Sequence, residues 1–188
     1  NKLHPEDFVG LAKKILRSKG LPLSQQNVKR ESELIFYRKH EIRRRAYLIN
    51  KKIKPDITIY IHFNAESWGN PTSPKLTDNN HLHLLVNGNY SHHEFRLEDN
   101  RYHLFMRLFQ NIHGEEFELS KSIAKSLAEE TRLPPYVYKT SNAKLIDKNE
   151  PYIYARNLLA NRIYHCPVIF LEPYVMNSKS FYHRAKLG

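Results

Sequence analysis

Apolar positions recur along this chain in two rhythms, and the change between them marks its elements. Phe8, Leu11, Ala12, Ile15 and Leu16 fall three and four residues apart, with Pro5 near the first turn and Gly20 just past the last. That spacing predicts an opening amphipathic helix. Residues 30–51 predict a second, very basic helix with an inner stripe of Ile35, Ile42, Ala46 and Ile49. After Pro55 the rhythm shortens, and residues 56–61 read as a strand. Residues 66–80 read as a loop by their Gly, Pro, Ser and Asn content. HLHLLV, residues 81–86, is a second strand candidate. Residues 100–112 and 114–130 read as helices, the latter through Phe117, Ile123, Ala124, Leu127 and Ala128. Pro134, Pro135 and Pro151 make the next stretch irregular. A short helix in YARNLLANRIY then leads into a strand, PVIFLE, and a final helix starts near Ser178. Apolar strands alternating with helices predict an α/β fold: a mainly parallel twisted sheet with helices on both faces.

Composition narrows the class. A chain of 188 residues, 40% hydrophobic and 26% charged, is expected to form one globular domain, which excludes a disordered chain. No apolar run approaches the ~20 residues of a membrane span, and no signal peptide opens the sequence. Helical patterns begin almost at the first residue and run into the last, so both ends are expected to be trimmed. A single cysteine, Cys166, excludes an internal disulfide framework and a multi-cysteine zinc site. Thirty Lys and Arg against nineteen Asp and Glu give a formal charge of +11, which favours a polyanionic partner. Nucleic acid, anionic wall polymers and lipid headgroups all meet that description. Eleven histidines keep metal chemistry open.

Two strand ends carry the candidate chemistry. ITIYIHFNAE, residues 57–66, runs from an apolar strand into His62 and Asn64. VIFLEPYVMN, residues 168–177, runs from an apolar strand into Glu172. Parallel strands place their C-terminal ends on one edge of a sheet, where ligands of open α/β sheets bind. An imidazole and a carboxylate meeting there suit a metal-activated water with a general base. The residues alone leave another possibility open, in which His62 bonds a loop carbonyl and Glu172 pairs with an arginine.

At these residues the sequence resembles the zinc-dependent N-acetylmuramoyl-L-alanine amidases of the amidase type 3 family. IYIHFNA (residues 59–65) is similar to that family's Ser-Ile-His-x-Asn-Ala strand end, with Arg45 and Asn50 preceding it in the family's order. PVIFLEPYVMN (residues 167–177) is similar to its Pro-x-x-x-x-Glu strand followed by an aromatic residue and an Asn. The resemblance covers residues 40–65 and 150–185 well and the middle poorly. It implies that His62 ligates zinc and that Glu172 is the catalytic glutamate; Asn64 would orient the substrate or His62, or else cap the loop. It also implies a further glutamate ligand opening the first helix, where Glu6 in PEDFVGLA corresponds. The Gly-His-Gly-Gly motif that supplies the family's first histidine does not occur, so the first strand is expected to be missing from this sequence. Pro173-Tyr174 stands where the family has a Gly, and Asn177 comes one residue early. The implied activity is hydrolysis of the amide joining N-acetylmuramic acid to L-alanine. Peptidoglycan is then the partner, with no nucleic acid, and the expected location is periplasmic or secreted, associated with the wall. Arg156 and Arg162 flank the helix that leads to the active edge, and one of them, Arg156 by preference, is expected to contact a carboxylate of the stem peptide.

A rival reading starts from NHLHLLV. Its His-hydrophobe-His pattern resembles that of single-tyrosine DNA transposases and relaxases. His81 and His83, at i and i+2, project from one face of a strand and suit a divalent metal. Tyr152 or Tyr154, placed on the short helix, would be the nucleophile, and the net charge fits DNA. This reading leaves both strand-end motifs unexplained, and under the amidase reading His81 and His83 are expected on a partly exposed strand face. A non-catalytic wall- or nucleic-acid-binding domain is the third alternative.

Overall fold

Helical and extended stretches of the chain collect into two compact units, Asn1–Lys54 and Pro55–Gly188. The computed structural model describes residues 3–70 and 72–187. In the first unit a 3-10 turn at Pro5–Phe8 runs into α1 (Val9–Ser18), followed by α2 (Gln25–Ile35) and α3 (Glu41–Leu48). Ser24 caps α2, its hydroxyl accepting from the Asn27 N–H at 3.2 Å, a contact worth about 1 kcal/mol. Ala12 and Leu16 pack against Val28 and Ile35 to form this unit's core. The basic helix expected at 30–51 begins at Gln25 and carries wide π turns at Phe36–His40 and Ile49–Ile53. Those turns shift the apolar stripe: Ile35 and Ala46 are buried, while Ile42 and Ile49 are only half-buried.

The second unit is built on a five-stranded sheet of β1 (Thr58–Ile61), β4 (His83–Val86), β5 (Lys144–Leu145), β6 (Ile153–Ala155) and β7 (Val168–Glu172). Its strand order is β1-β7-β4-β6-β5. The architecture is α/β, as the alternation of elements predicts. β1–β7 and β4–β6 pair in parallel, and β4–β7 and β5–β6 are antiparallel. The expected loop at 66–80 also holds a small hairpin of β2 (Gly69–Asn70) and β3 (Ser73–Pro74).

Helices α4 (His92–Arg96), α5 (Glu98–Phe109), α6 (Ile112–Thr131), α7 (Leu159–Arg162) and α8 (Lys179–Leu187) complete the unit. One face of the sheet presents Leu84, Val86, Ile153, Ile169 and Leu171 to Ala124, Phe117 and Leu127 of α6. The other face carries a second cluster, Leu85, Tyr154 and Phe170 with Ala143, Tyr138 and Leu158. Alternation along each strand then puts His83, Glu172 and His62 on the same side as this second cluster. A buried ion pair of Arg107 (α5) with Glu116 (α6) pins the start of β7. Glu116 Oε1 accepts from the Val168 N–H at 2.7 Å, and Arg107 donates to the Tyr164 carbonyl at 3.0 Å.

One element is of a different type from the one expected. YARNLLANRIY does not form a helix throughout; Ile153–Ala155 is strand β6, and only Leu159–Arg162 coils. Tyr152, Ile153 and Tyr154 suit a pleated surface, and burial of Ile153 in the main core overrides the helical spacing. No helix among the described residues is long and apolar enough to cross a membrane.

Candidate active site

The parallel pairing of β1 with β7 brings the two motif ends together. Thr58 to Ile61 lie in register with Val168 to Leu171. The pairing continues past the strands: His62 N–H donates to the Leu171 carbonyl at 2.9 Å, Asn64 N–H to Tyr174 at 3.0 Å, and Met176 N–H to Asn64 at 2.8 Å. A ladder of this kind leaves little freedom in where the His62 and Glu172 side chains start. Their contact is direct, with His62 Nδ1 3.0 Å from Glu172 Oε1.

A second imidazole completes the arrangement. Because β4 runs against β7, its first residue, His83, lies opposite Glu172 in register. His83 Nε2 is 2.7 Å from Glu172 Oε2 and 3.0 Å from the Tyr138 hydroxyl. His81 sits alongside, its ring 5.6 Å from that of His83 and 4.3 Å from that of Tyr136. The Asn64 amide donates to His81 Nε2 at 3.2 Å. The two halves of the candidate chemistry, separate readings at the level of sequence, form one cluster around Glu172.

Burial by itself would raise the Glu172 carboxyl. The hydrogen bond and charge of His83, followed by those of His62, outweigh it and hold the group below its ordinary value. Glu172 is therefore ionised at neutral pH. His81 is pushed down to about 4, first by burial and then by the His83 charge, against the opposing pull of Glu172 and Glu66. It is neutral at pH 7, which matches its role as acceptor from Asn64. Tyr138 is pushed up to about 12, by burial and then by Glu172, with Arg156 acting against both.

The expected site residues distribute unevenly. His62, Asn64 and Glu172 are brought together; Arg156 follows β6, its backbone N–H donating to the Val86 carbonyl at 2.9 Å. Glu6 belongs to the helical unit, on the exposed turn Pro5–Phe8, where it lines a groove with Val9, Lys13 and Lys29. Arg45, in the same unit, pairs with Glu41 one turn earlier on its own helix. The partly exposed strand face expected for His81 and His83 is not found: both are buried, His83 because it opens the inner strand β4 and His81 because it packs against Tyr136 and Asn64. Tyr152 and Tyr154 lie at and beside β6, not on the short helix, and donate their hydroxyls to the Leu133 and Tyr136 carbonyls at 3.1 and 2.8 Å.

One donor fits a zinc ion, but the set as a whole does not. His62 turns Nδ1 to a carboxylate, which leaves Nε2 as its outward lone pair, the arrangement common in metal-bound histidines. Yet among the described residues no three or more His, Cys, Asp or Glu side chains are grouped so as to hold a metal. His62, His83 and Glu172 face one another, and each carboxylate oxygen accepts from an imidazole nitrogen.

No family model matches the chain, and no curated protein matches it. Among solved structures it is similar to the N-acetylmuramyl-L-alanine amidase Ami1 from Mycobacterium smegmatis, at 16% identity and a TM-score of 0.46. That match covers 77% of this chain and 50% of the amidase. It is also similar to Cwp6 from Clostridium difficile, at 16% identity and a TM-score of 0.37, covering 77% of this chain and 17% of that one. The chain thus spans half of the first protein and much less of the second.

Proposed function

We propose that the sheet unit is an amide hydrolase acting on peptidoglycan, at the bond between N-acetylmuramic acid and L-alanine of the stem peptide. The observation that carries the reading is Glu172 held between His62 and His83 at the joined ends of β1 and β7. The motifs at both ends are those that resemble the type 3 amidases. In the reaction, water adds to the amide carbonyl and gives up a proton, which must later reach the leaving amine. The Glu172–His62 pair handles that proton: Glu172 keeps its charge and fixes the His62 ring, and the outward Nε2 meets solvent and substrate. Asn64, tied to His81, lies two residues beyond His62 and orients the substrate. A formal charge of +11 favours approach to an anionic wall polymer outside the cell.

Zinc enters this proposal only as the ion that the resemblance implies. The steps above are those of the chain's own side chains. Digestion of purified peptidoglycan is the test. The expected products are free stem peptides with a new L-alanine amino terminus beside intact glycan strands. Cleavage of the glycan itself, or tyrosine-linked DNA on incubation with nucleic acid, would defeat the reading. Elemental analysis of the same preparation, before and after His62→Ala, reports whether a stoichiometric metal depends on His62.

A further inference from the structure

Formal charge is divided very unequally between the two units. Residues 1–54 hold fifteen of the thirty Lys and Arg but only five of the nineteen Asp and Glu, so the helical unit carries +10 of the chain's +11. Eight of those fifteen fall within residues 36–54, against a single acid, Glu41. This stretch is α3 with the two π turns that flank it. Like charges this dense repel one another, and the nearby acids offset little of the repulsion. Glu41 pairs with Arg45, and Glu31 with Lys19 at 3.2 Å. Arg44 and Lys51 make no ion pair among the described residues.

Apolar content separates this stretch from a plain solvated basic face. Helical spacing sets Arg44, Tyr47, Leu48 and Lys51 at i, i+3, i+4 and i+7, along one outward stripe. Tyr47 is 59% exposed and Leu48 42%, while Ala46 is buried and Ile42 and Ile49 are half-buried on the inward side. Ile53, 67% exposed, ends the last turn between Lys52 and Lys54. The stripe therefore has an apolar middle with a cation one turn away at either end.

We infer that this outer stripe of α3 docks on an anionic lipid surface. Tyr47, Leu48 and Ile53 enter the headgroup region, and Arg44, Lys51 and Lys52 lie against lipid phosphates. A basic helix with exposed apolar side chains rests in the plane of a bilayer interface, drawn there by charge and held by apolar burial. A nucleic acid or a phosphate-rich wall polymer would satisfy the cations equally, but would leave Leu48 and Ile53 in water. Those two residues decide for the lipid. No described helix is long and apolar enough to cross a bilayer, so the contact is peripheral. The inference concerns the helical unit and stands apart from the hydrolase reading of the sheet.

Co-sedimentation of the full chain with vesicles tests it, using phosphatidylcholine alone or mixed with phosphatidylglycerol. The chain is expected to pellet with the mixed vesicles and to stay in solution beside the neutral ones. Arg44→Gln combined with Lys51→Gln is expected to weaken binding about thirtyfold, from about fivefold for each cation near an anionic surface. Leu48→Gln leaves the charge untouched and is expected to weaken binding about fivefold. All three positions are exposed, and circular dichroism checks that the variants keep the fold. No pelleting with the mixed vesicles, equal pelleting with neutral ones, or undiminished binding by Leu48→Gln would overturn the inference. Binding to duplex DNA or poly(glycerol phosphate) as tight as to the mixed vesicles, and indifferent to Leu48→Gln, would overturn it in favour of a soluble polyanion.

Discussion

His62 and His83 hold the same carboxylate from opposite environments. The His62 side chain is 58% exposed and follows an edge strand; the His83 side chain is 0% exposed and opens a central one. One imidazole keeps a ring nitrogen turned to solvent, and the other is enclosed by Tyr136, Tyr138 and Glu172. The difference separates two tasks that residue type alone does not. The enclosed histidine sets where the carboxylate sits and keeps it ionised, while the open one meets whatever enters. A glutamate with only the open partner would be free to rotate, and one with only the enclosed partner would have no contact with the reaction.

The largest expected effect comes from removing what the two histidines share. Glu172→Gln keeps the shape and can still hydrogen-bond to both rings, but it carries no charge to hold the His62 ring and balance the proton that ring takes up. Release of stem peptides from peptidoglycan should fall by roughly 10²–10⁴-fold, with the fold retained by circular dichroism. Unchanged release would make Glu172 a structural link between strands.

How much of this was legible in the sequence depends on which contacts are local. The strand ends at His62 and Glu172 could be read because each is an apolar run stopped by one reactive side chain, and their meeting follows from parallel pairing. His81 and His83 were visible as a period-two pair, but sequence offered no reason to join them to Glu172. That join depends on β4 running antiparallel to β7, a choice made by long-range packing against α6. β6 was misread for a similar reason, since the fate of Ile153 is decided by distant Leu84. Tyr138 gave no local signal, because the irregular segment that carries it meets His83 only through the fold.

A middle-sized effect sharpens the contrast between the two histidines. His83→Ala removes an entirely buried ring and leaves Glu172 short of a donor in a site with little water. The loss of stability should be about 3–5 kcal/mol by urea denaturation. His62→Ala acts on an exposed group and should cost less than about 1 kcal/mol of stability, yet slow peptide release by roughly 10²-fold. Equal destabilisation by the two changes would dissolve the distinction drawn here.

The smallest effect concerns His81, the neighbour that stays neutral. Its native pKa of about 4 lies well below its value of 6.5 in an unfolded chain, through burial first and the His83 charge second. Between those limits the unfolded chain takes up a proton that the native protein refuses, so stability must fall as the pH drops from 6.5 towards 4 and level off below. At pH 5 the loss amounts to about 2 kcal/mol, from 1.36 kcal/mol per pKa unit. Glu172 has the other sign of charge but the same direction of change: its lowered carboxyl gives up its stabilisation only at still lower pH, as the native pKa is crossed. His113 is also lowered, by burial and then by Arg107, so the comparison must be made between wild type and variant. Urea midpoints at pH 7, 5 and 4 for the wild type and His81→Gln make that comparison. The variant should lose most of the slope between pH 6.5 and 4 that His81 contributes, and keep the carboxylate-dependent loss below it. An unchanged slope would mean that His81 takes up its proton within the fold, breaking its bond from the Asn64 amide, and the neutral wall beside Glu172 would no longer stand.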